Sequence, residues 1–286
     1  MMLAWLFILL SSGCSVFIAH LFKLIEFRKL NTLRVLTVNY LVATVVAFLT
    51  SRNPMAEVDF QIMAPVLGIA AIVGVIFIAN YFIYSKSVHL NGVGISVASM
   101  RISLIIPVLL STFWYHEYLL AREWVGVLLV FVTLFLLLPD KQNLFKRPYN
   151  SAWLLILIFL FTGLGDSSLK IYEADFSGIL SKEQFMGFVF LAAFIVGIGI
   201  LLIRGNWTFS RDDIIFGILI GVPNLYSALF LIEALSLLSG GIVYTAANLL
   251  TVIGATILGI WRWGDILTNA QWIGLGLTLI SILLLI

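Results

Sequence analysis

Long apolar segments, separated by short charged connections, follow one another from the first residue of the chain to the last. A helix that crosses the ~30 Å hydrocarbon core of a bilayer needs about 20 largely apolar residues, because each residue rises ~1.5 Å. Ten segments meet this requirement: 2–21, 33–50, 62–84, 93–115, 121–138, 151–171, 182–203, 212–236, 241–262 and 269–286. The connections leave no room for a soluble domain. The sequence therefore predicts an all-α, multi-pass integral membrane protein with ten transmembrane helices, placed in a plasma or inner membrane.

The composition agrees with this class and excludes others. Hydrophobic residues make up 62% of the chain and charged residues 10%, against about 25% charged residues in a soluble domain. The net charge of +2 is spread over the connections without a basic block, so nucleic acid is excluded as a partner. The lone Cys14 cannot form an internal disulfide. We expect the lipid bilayer and a small molecule as partners, with monomer and dimer both left open.

The two halves of the sequence resemble each other at an offset of 148 residues. The offset aligns Gly92 with Gly240, Ala98 with Ala246, Glu117 with Asp265, Trp124 with Trp272, Gly126 with Gly274 and Thr133 with Ser281. We interpret residues 1–140 and 150–286 as two five-helix repeats joined by a linker at 141–149. Because each repeat has an odd number of spans, the second must enter the membrane from the opposite side. Inverted repeats of this kind are typical of secondary transporters.

Each half also ends in the same pattern of residues. The first contains SKSVHLNGVGISVASMRISLIIPVLLSTFWYHEYLLAREWVGVLLVFVTLFLL, and the second contains IEALSLLSGGIVYTAANLLTVIGATILGIWRWGDILTNAQWIGLGLTLISILL. Both have small residues at a helix start, an acidic residue where the helix closes, and a last span containing glycine. In this pattern the chain resembles the EamA-type ten-helix members of the drug/metabolite transporter superfamily. The resemblance covers essentially the whole chain and implies their fold and the transport of a small metabolite. It does not indicate which metabolite.

Arg101 departs from the apolar pattern of that family. It lies about eight residues into the fourth predicted span, roughly 12 Å below the helix start. An arginine at mid-helix costs about +2.5 to +3.5 kcal/mol on insertion scales, so it should face a partner or an aqueous cavity. We predict that Arg101 recognises substrate in a central cavity; pairing with a buried acid or snorkelling to the head groups is the structural alternative.

Asp166 and Lys170 are four residues apart on one face of the sixth predicted span. They are candidates for coupling or gating. Three alternatives stay open: the two charges neutralise each other, Asp166 partners Arg101, or Asp166 carries a coupling proton. A lysine near the place of Lys170 is also common in the family that the chain resembles.

Further polar side chains within the predicted spans are candidates for the walls of a binding pocket. They are Asn39, Asn80, Tyr84, Asn224, Tyr244 and Asn248. As a group they supply the few convergent polar groups expected of a small-molecule site, although hydrogen bonding between helices is the default use of each. Asn248 is the strongest of them, because the offset of 148 aligns it with Met100, beside Arg101. Glu117 and Asp265 end their helices, and we expect them to be solvated or to brace a loop.

No motif for catalysis or metal binding occurs in the sequence. His-Glu-x-x-His, Gly-x-Ser-x-Gly, Cys-x-x-Cys and phosphate-binding loops are all missing. We therefore predict that the protein is not an enzyme, needs no cofactor and is driven by an ion or substrate gradient. The leading hypothesis is a secondary transporter of a small polar metabolite; the alternative is a membrane scaffold or regulatory protein that keeps the transporter fold. The distribution of Lys and Arg places both termini outside, whereas the resemblance implies that both are inside.

Overall fold

A computed structural model describes residues 1–51, 60–137 and 151–286. The described part of the chain is helical and contains no β-strand. Its helices are α1 Met2–Phe27, α2 Thr32–Thr50, α3 Phe60–Asn91, α4 Val93–Ile102, α5 Ile105–Leu109, α6 Ala121–Leu137, α7 Ala152–Ile171, α8 Lys182–Ile203, α9 Arg211–Leu235, α10 Gly240–Leu258 and α11 Asn269–Leu285. Short π-helical turns follow α5, α7 and α10 at Leu110–Trp114, Tyr172–Phe176 and Gly259–Trp263. The all-α prediction is confirmed, while the predicted linker at 141–149 lies outside the described residues.

Eight helical segments in the described ranges are long and apolar enough to cross a membrane. They are Met2–Phe27, Thr32–Thr50, Phe60–Asn91, Val93–Trp114, Ala152–Phe176, Lys182–Ile203, Arg211–Leu235 and Gly240–Trp263. In the most apolar stretch of the first segment only 22% of the residues are buried within the protein. Exposed apolar side chains on this scale are suited to lipid rather than to water. These are the properties of a multi-pass membrane protein. The remaining long helices, α6 and α11, have 17 residues each.

Polar side chains decide where several of these helices begin. Asn31 accepts hydrogen bonds from the amides of Leu33 and Arg34, so α2 begins at Thr32. Ser181, Ser210 and Thr268 form capping boxes at the starts of α8, α9 and α11. In contrast, α3 continues to Asn91, seven residues beyond the predicted end of its span at residue 84. Only Gly92, whose φ of +95° requires glycine, separates it from α4.

The chain forms two compact units, and each draws on both predicted repeats. The first unit consists of Ala79–Lys170 and Leu237–Ile286, with Met1. The second consists of Met2–Ile78 and Ile171–Ser236. The boundaries between the units fall within α3, within α7 and between α9 and α10. A repeat in the sequence therefore does not correspond to a compact unit in the fold.

In the second unit, α1, α2, α8 and α9 pack through small and polar residues. The hydroxyl of Ser11 donates to the carbonyl oxygen of Ser227 at 2.8 Å, which joins α1 to α9. Gly221 of α9 lies so close to α2 that a Cβ atom there would be 2.8 Å from the carbonyl oxygen of Asn39. An apolar cluster contains Leu21, Ile25, Val35, Phe216 and Ile220. Such close contacts are typical of helices that associate in lipid.

In the first unit, α6 and α11 form an extensive helix pair, and their glycines sit at aligned positions. The hydroxyl of Ser281 donates to the carbonyl oxygen of Gly126 at 2.6 Å. A Cβ atom at Gly126 would lie 3.2 Å from Leu285, and one at Gly274 would lie 3.0 Å from Leu136. Residues 121–137 and 269–285 are themselves 148 apart at both ends. The offset that aligns the sequences therefore also aligns the ends of this helix pair.

Candidate functional site

A cavity of about 460 Å³ lies in the first unit, at the end where α4 begins and α10 ends. Its walls come from α4, α6, α10, α11 and the connection before α11. The lining residues are Val97, Ala98, Arg101, Leu134, Leu137, Val252, Ala255, Thr256, Asp265, Leu267 and Gln271. Pockets that bind small molecules usually have volumes of about 300–1,000 Å³ and mostly apolar walls with a few polar groups. This cavity has both properties.

Arg101 lies on the wall of this cavity. It is partly exposed, and its charge interacts with the carboxylate of Asp166 on α7 and with Tyr84 on α3. A guanidinium has five N–H donors in a planar fork, so a neighbouring carboxylate does not exhaust its hydrogen bonding. Arg101 therefore has an acidic neighbour and also presents a cation to a space large enough for a ligand.

The peptide group of Asp166 is fixed by α10. The Tyr244 hydroxyl donates to the carbonyl oxygen of Asp166 at 2.8 Å. Two neighbouring hydroxyl oxygens, Ser167 Oγ and Thr245 Oγ1, are buried and have no hydrogen-bond partner among the described residues. Most buried polar atoms do have partners, so unsatisfied ones call for an explanation. The hydrogen bond from Tyr244 thus joins α10 to α7, beside two hydroxyl groups that have no partner among the described residues.

Asn248 lies on the same face of α10 as the residues that line the cavity, one to two turns before them. Val252 and Ala255 line the cavity, and they lie four and seven residues after Asn248 on the same helix face. The Oδ1 atom of Asn248 is buried, with no partner in the part of the chain that the structure describes. Asn80 is partly satisfied: its Nδ2 donates to Thr162 Oγ1 at 3.0 Å, whereas its Oδ1 has no described partner.

Lys170 belongs to a polar network at the opposite end of α10. Its Nζ lies 2.6 Å from Glu117 Oε1, and only 5% of its side chain is exposed. Glu117 Oε2 accepts a 2.7 Å hydrogen bond from the amide of Gly240, the first residue of α10, and another from the Ser111 hydroxyl. The Lys170 ammonium also lies 5.6 Å from the centre of the Tyr115 ring. Glu117 is thus the centre of a network rather than a solvated side chain.

Asn39 and Asn224 belong to the second unit, and neither is among the residues that line the cavity of the first. Asn224 Nδ2 donates to Asn39 Oδ1 at 3.2 Å, between α9 and α2. Asn39 is fully buried. An amide in an apolar helix is costly to leave unsatisfied, and pairing two of them across a helix contact reduces that cost. In the structure the two amides form a hydrogen bond between α2 and α9, while Asn39 Nδ2 has no partner among the described residues.

Three polar residues that line the cavity were not among the sequence candidates: Thr256, Asp265 and Gln271. Asp265 is exposed, which agrees with the expectation of a solvated side chain, and it also lies on the cavity wall. Its alignment with Glu117 was the available signal, because the offset of 148 marks both as the acidic residue after a span. The turn that follows each span and directs the carboxylate back towards its own helix could not be predicted from the residue pattern.

Comparison with known proteins adds likeness in sequence and in fold. No protein-family model matches the chain. An uncharacterized protein of Haemophilus influenzae is 27% identical over 275 residues, which cover 94% of this chain and 93% of that protein. A protein of known crystal structure superposes with a TM-score of 0.71 at 15% identity, covering 98% of this chain and 95% of that chain. At this identity the likeness concerns the fold alone.

Proposed function

We propose that the protein is a secondary transporter of a small polar metabolite, which works by alternating access, as its resemblance to EamA-type transporters implies. The observation that carries the proposal is the cavity of about 460 Å³ with Arg101 on its wall. A permanent cation within an apolar span is costly, and in membrane proteins such residues usually mark substrate or ion pathways. Asp166 beside Arg101 offsets part of that cost.

The architecture that we propose has ten spans in two inverted five-helix repeats. Eight segments qualify by length and hydropathy, and α6 and α11 add two helices of 17 residues, about 25 Å each. Support for the repeat comes from aligned elements, since α6 and α11 have bounds that differ by 148 residues at both ends. With five spans in each half, the second half would cross in the opposite sense.

A ligand screen followed by a flux measurement tests the proposal. Purified protein in detergent is screened by thermal shift against amino acids, organic acids, sugars and phosphorylated metabolites. A ligand at 100 times its Kd stabilises by about 2.7 kcal/mol. At about 2–4 °C per kcal/mol, this corresponds to a Tm increase of roughly 5–10 °C. Compounds that shift Tm are then supplied in radiolabelled form to proteoliposomes.

The decisive variant is Arg101→Ala, with Arg211→Ala as its matched control. Arg211 is exposed at the start of α9, so its loss should leave flux unchanged. We expect Arg101→Ala to abolish flux while the protein still elutes as a folded species in size-exclusion chromatography. Arg101→Lys keeps the charge but not the planar fork of donors, and should restore only part of the flux. Full flux in Arg101→Ala would remove Arg101 from the mechanism, and absence of flux for every ligand would favour a scaffold.

A further inference from the structure

The chain makes the same turn after the π-helical ends of two spans. After Leu110–Trp114, the amide of Glu117 donates to the carbonyl oxygen of Ser111 at 3.2 Å. After Gly259–Trp263, the amide of Asp265 donates to the carbonyl oxygen of Gly259 at 3.1 Å. In both turns the acidic residue follows a residue with positive φ, and its side chain lies near the end of its own span.

These two turns match position by position at the offset of 148. His116 has φ +54° and its counterpart Gly264 has φ +69°. Glycine adopts this conformation freely, whereas a histidine there is uncommon and strained. The surrounding contacts therefore hold the first turn in a conformation that its own sequence disfavours.

The two acidic side chains have different surroundings. Glu117 is engaged with the amide of Gly240, the Ser111 hydroxyl and the Lys170 ammonium. Asp265 faces the cavity, and its Oδ2 lies beside Gly259, where a Cβ atom would be only 2.6 Å away. At the Glu117 end of the first unit, hydrogen bonds and an ion pair thus join the helices. The Asp265 end contains the cavity.

The offset also identifies a binding partner for Asp265. Gly240, whose amide binds Glu117, is aligned with Gly92, which stands at the start of α4. In this structure the amide of Gly92 donates to the carbonyl oxygen of Val88 at 3.1 Å, which joins it to the end of α3. The counterpart of the Glu117 contact is therefore not formed, because its donor is engaged elsewhere.

We propose that Glu117 and Asp265 are reciprocal gating residues: each carboxylate closes its own end of the first unit by binding the first amide of the opposite span. When the cavity end closes, Asp265 binds the amide of Gly92, and Glu117 releases Gly240. The proposal rests on the proposed alternating access. Because a similar contact forms at one end as it is lost at the other, the two states remain close in free energy, as a cycling transporter requires.

Two reporter positions on one face of α10 test this reciprocity. Thr245 is fully buried towards the Glu117 end, and Ala255 lines the cavity. Each is changed to cysteine in a Cys14→Ala background. The purified protein in nanodiscs, accessible from both sides, is labelled with a water-soluble maleimide. We expect the cysteine at 255 to react rapidly and the cysteine at 245 slowly.

The gating variants should move these two rates in opposite directions. Glu117→Gln weakens a charge-assisted contact, and the loss of one such hydrogen bond changes an equilibrium by about 10-fold or more. We therefore expect labelling at 245 to become about 10-fold faster and labelling at 255 to become slower. Asp265→Asn should instead slow labelling at 245 and leave labelling at 255 at least as fast.

The matched control is Glu123→Gln. Glu123 is buried, and its carboxylate binds the amide of Leu120 within the same connection without reaching α10, so neither rate should change. The inference is overturned if Glu117→Gln accelerates both rates, as a loosened fold would, or if Asp265→Asn acts in the same direction as Glu117→Gln. If the gating variants transport normally and neither labelling rate changes, the gating role is refuted but the transport proposal is not. If the two labelling rates move in opposite directions but no ligand is transported, the transport proposal is refuted instead.

Discussion

The buried ion pair between Lys170 and Glu117 should stabilise the protein asymmetrically. Lys170 Nζ lies 2.6 Å from Glu117 Oε1, and the two side chains are 5% and 21% exposed. Glu117→Ala leaves a buried ammonium without its carboxylate, which typically costs about 3–5 kcal/mol. At about 2–4 °C per kcal/mol this lowers Tm by roughly 6–20 °C. Lys170→Met leaves Glu117 with two hydrogen bonds from Ser111 and Gly240, and should cost only about 1–2 kcal/mol.

Thermal unfolding of the purified variants in detergent, followed by circular dichroism, measures these differences. The double variant Glu117→Ala/Lys170→Met should be more stable than Glu117→Ala alone, because it removes the stranded cation. Lys182 and Glu233 provide the control, since their ion pair in the second unit is 28% and 34% exposed. Lys182→Met should therefore cost at most about 1 kcal/mol. The reasoning is refuted if Glu117→Ala and Lys170→Met lower the free energy of unfolding equally and if the double variant loses the sum of the two.

Three further predictions concern topology, packing and backbone strain. If α6 crosses the membrane, single cysteines at Tyr118 and Gly178 in a Cys14→Ala background are labelled from the same side by an impermeant thiol reagent; labelling from opposite sides excludes the crossing. Gly221→Ala should lower stability by about 1–3 kcal/mol, because its Cβ atom would meet α2. Gly276→Ala, with nothing within 4 Å, should not lower it in the same thermal assay. His116→Gly should raise Tm by relieving about 1 kcal/mol of strain at φ +54°; an unchanged or lower Tm argues against strain.

The helical class and the approximate span positions could be predicted because they depend on local hydrophobicity. The first predicted span, 2–21, falls within α1, which continues to Phe27. The end of an apolar run need not be the end of its helix, since α1 continues through polar residues such as Lys23 and Glu26. Apolar runs therefore locate the spans better than they locate the helix ends.

The partners of buried charges could not be predicted from spacing. Asp166 and Lys170 lie four residues apart on one helix, where an ion pair is expected from sequence. In the structure Lys170 pairs with Glu117, and Asp166 interacts with Arg101, which was one of the three alternatives that the sequence left open. Both partners come from other parts of the chain, and they are brought into range by the fold. Periodicity along a single helix contains no information on such tertiary contacts.

The way in which the compact units divide the chain constrains its biogenesis. The second unit needs residues up to Ser236, and the first also needs Leu237–Ile286. We therefore expect helices of the amino-terminal half to be synthesised before the partners with which they form a compact unit. Neither half, expressed as a separate fragment, contains all the segments of either unit. We expect the complete fold to form only when the two fragments are expressed together.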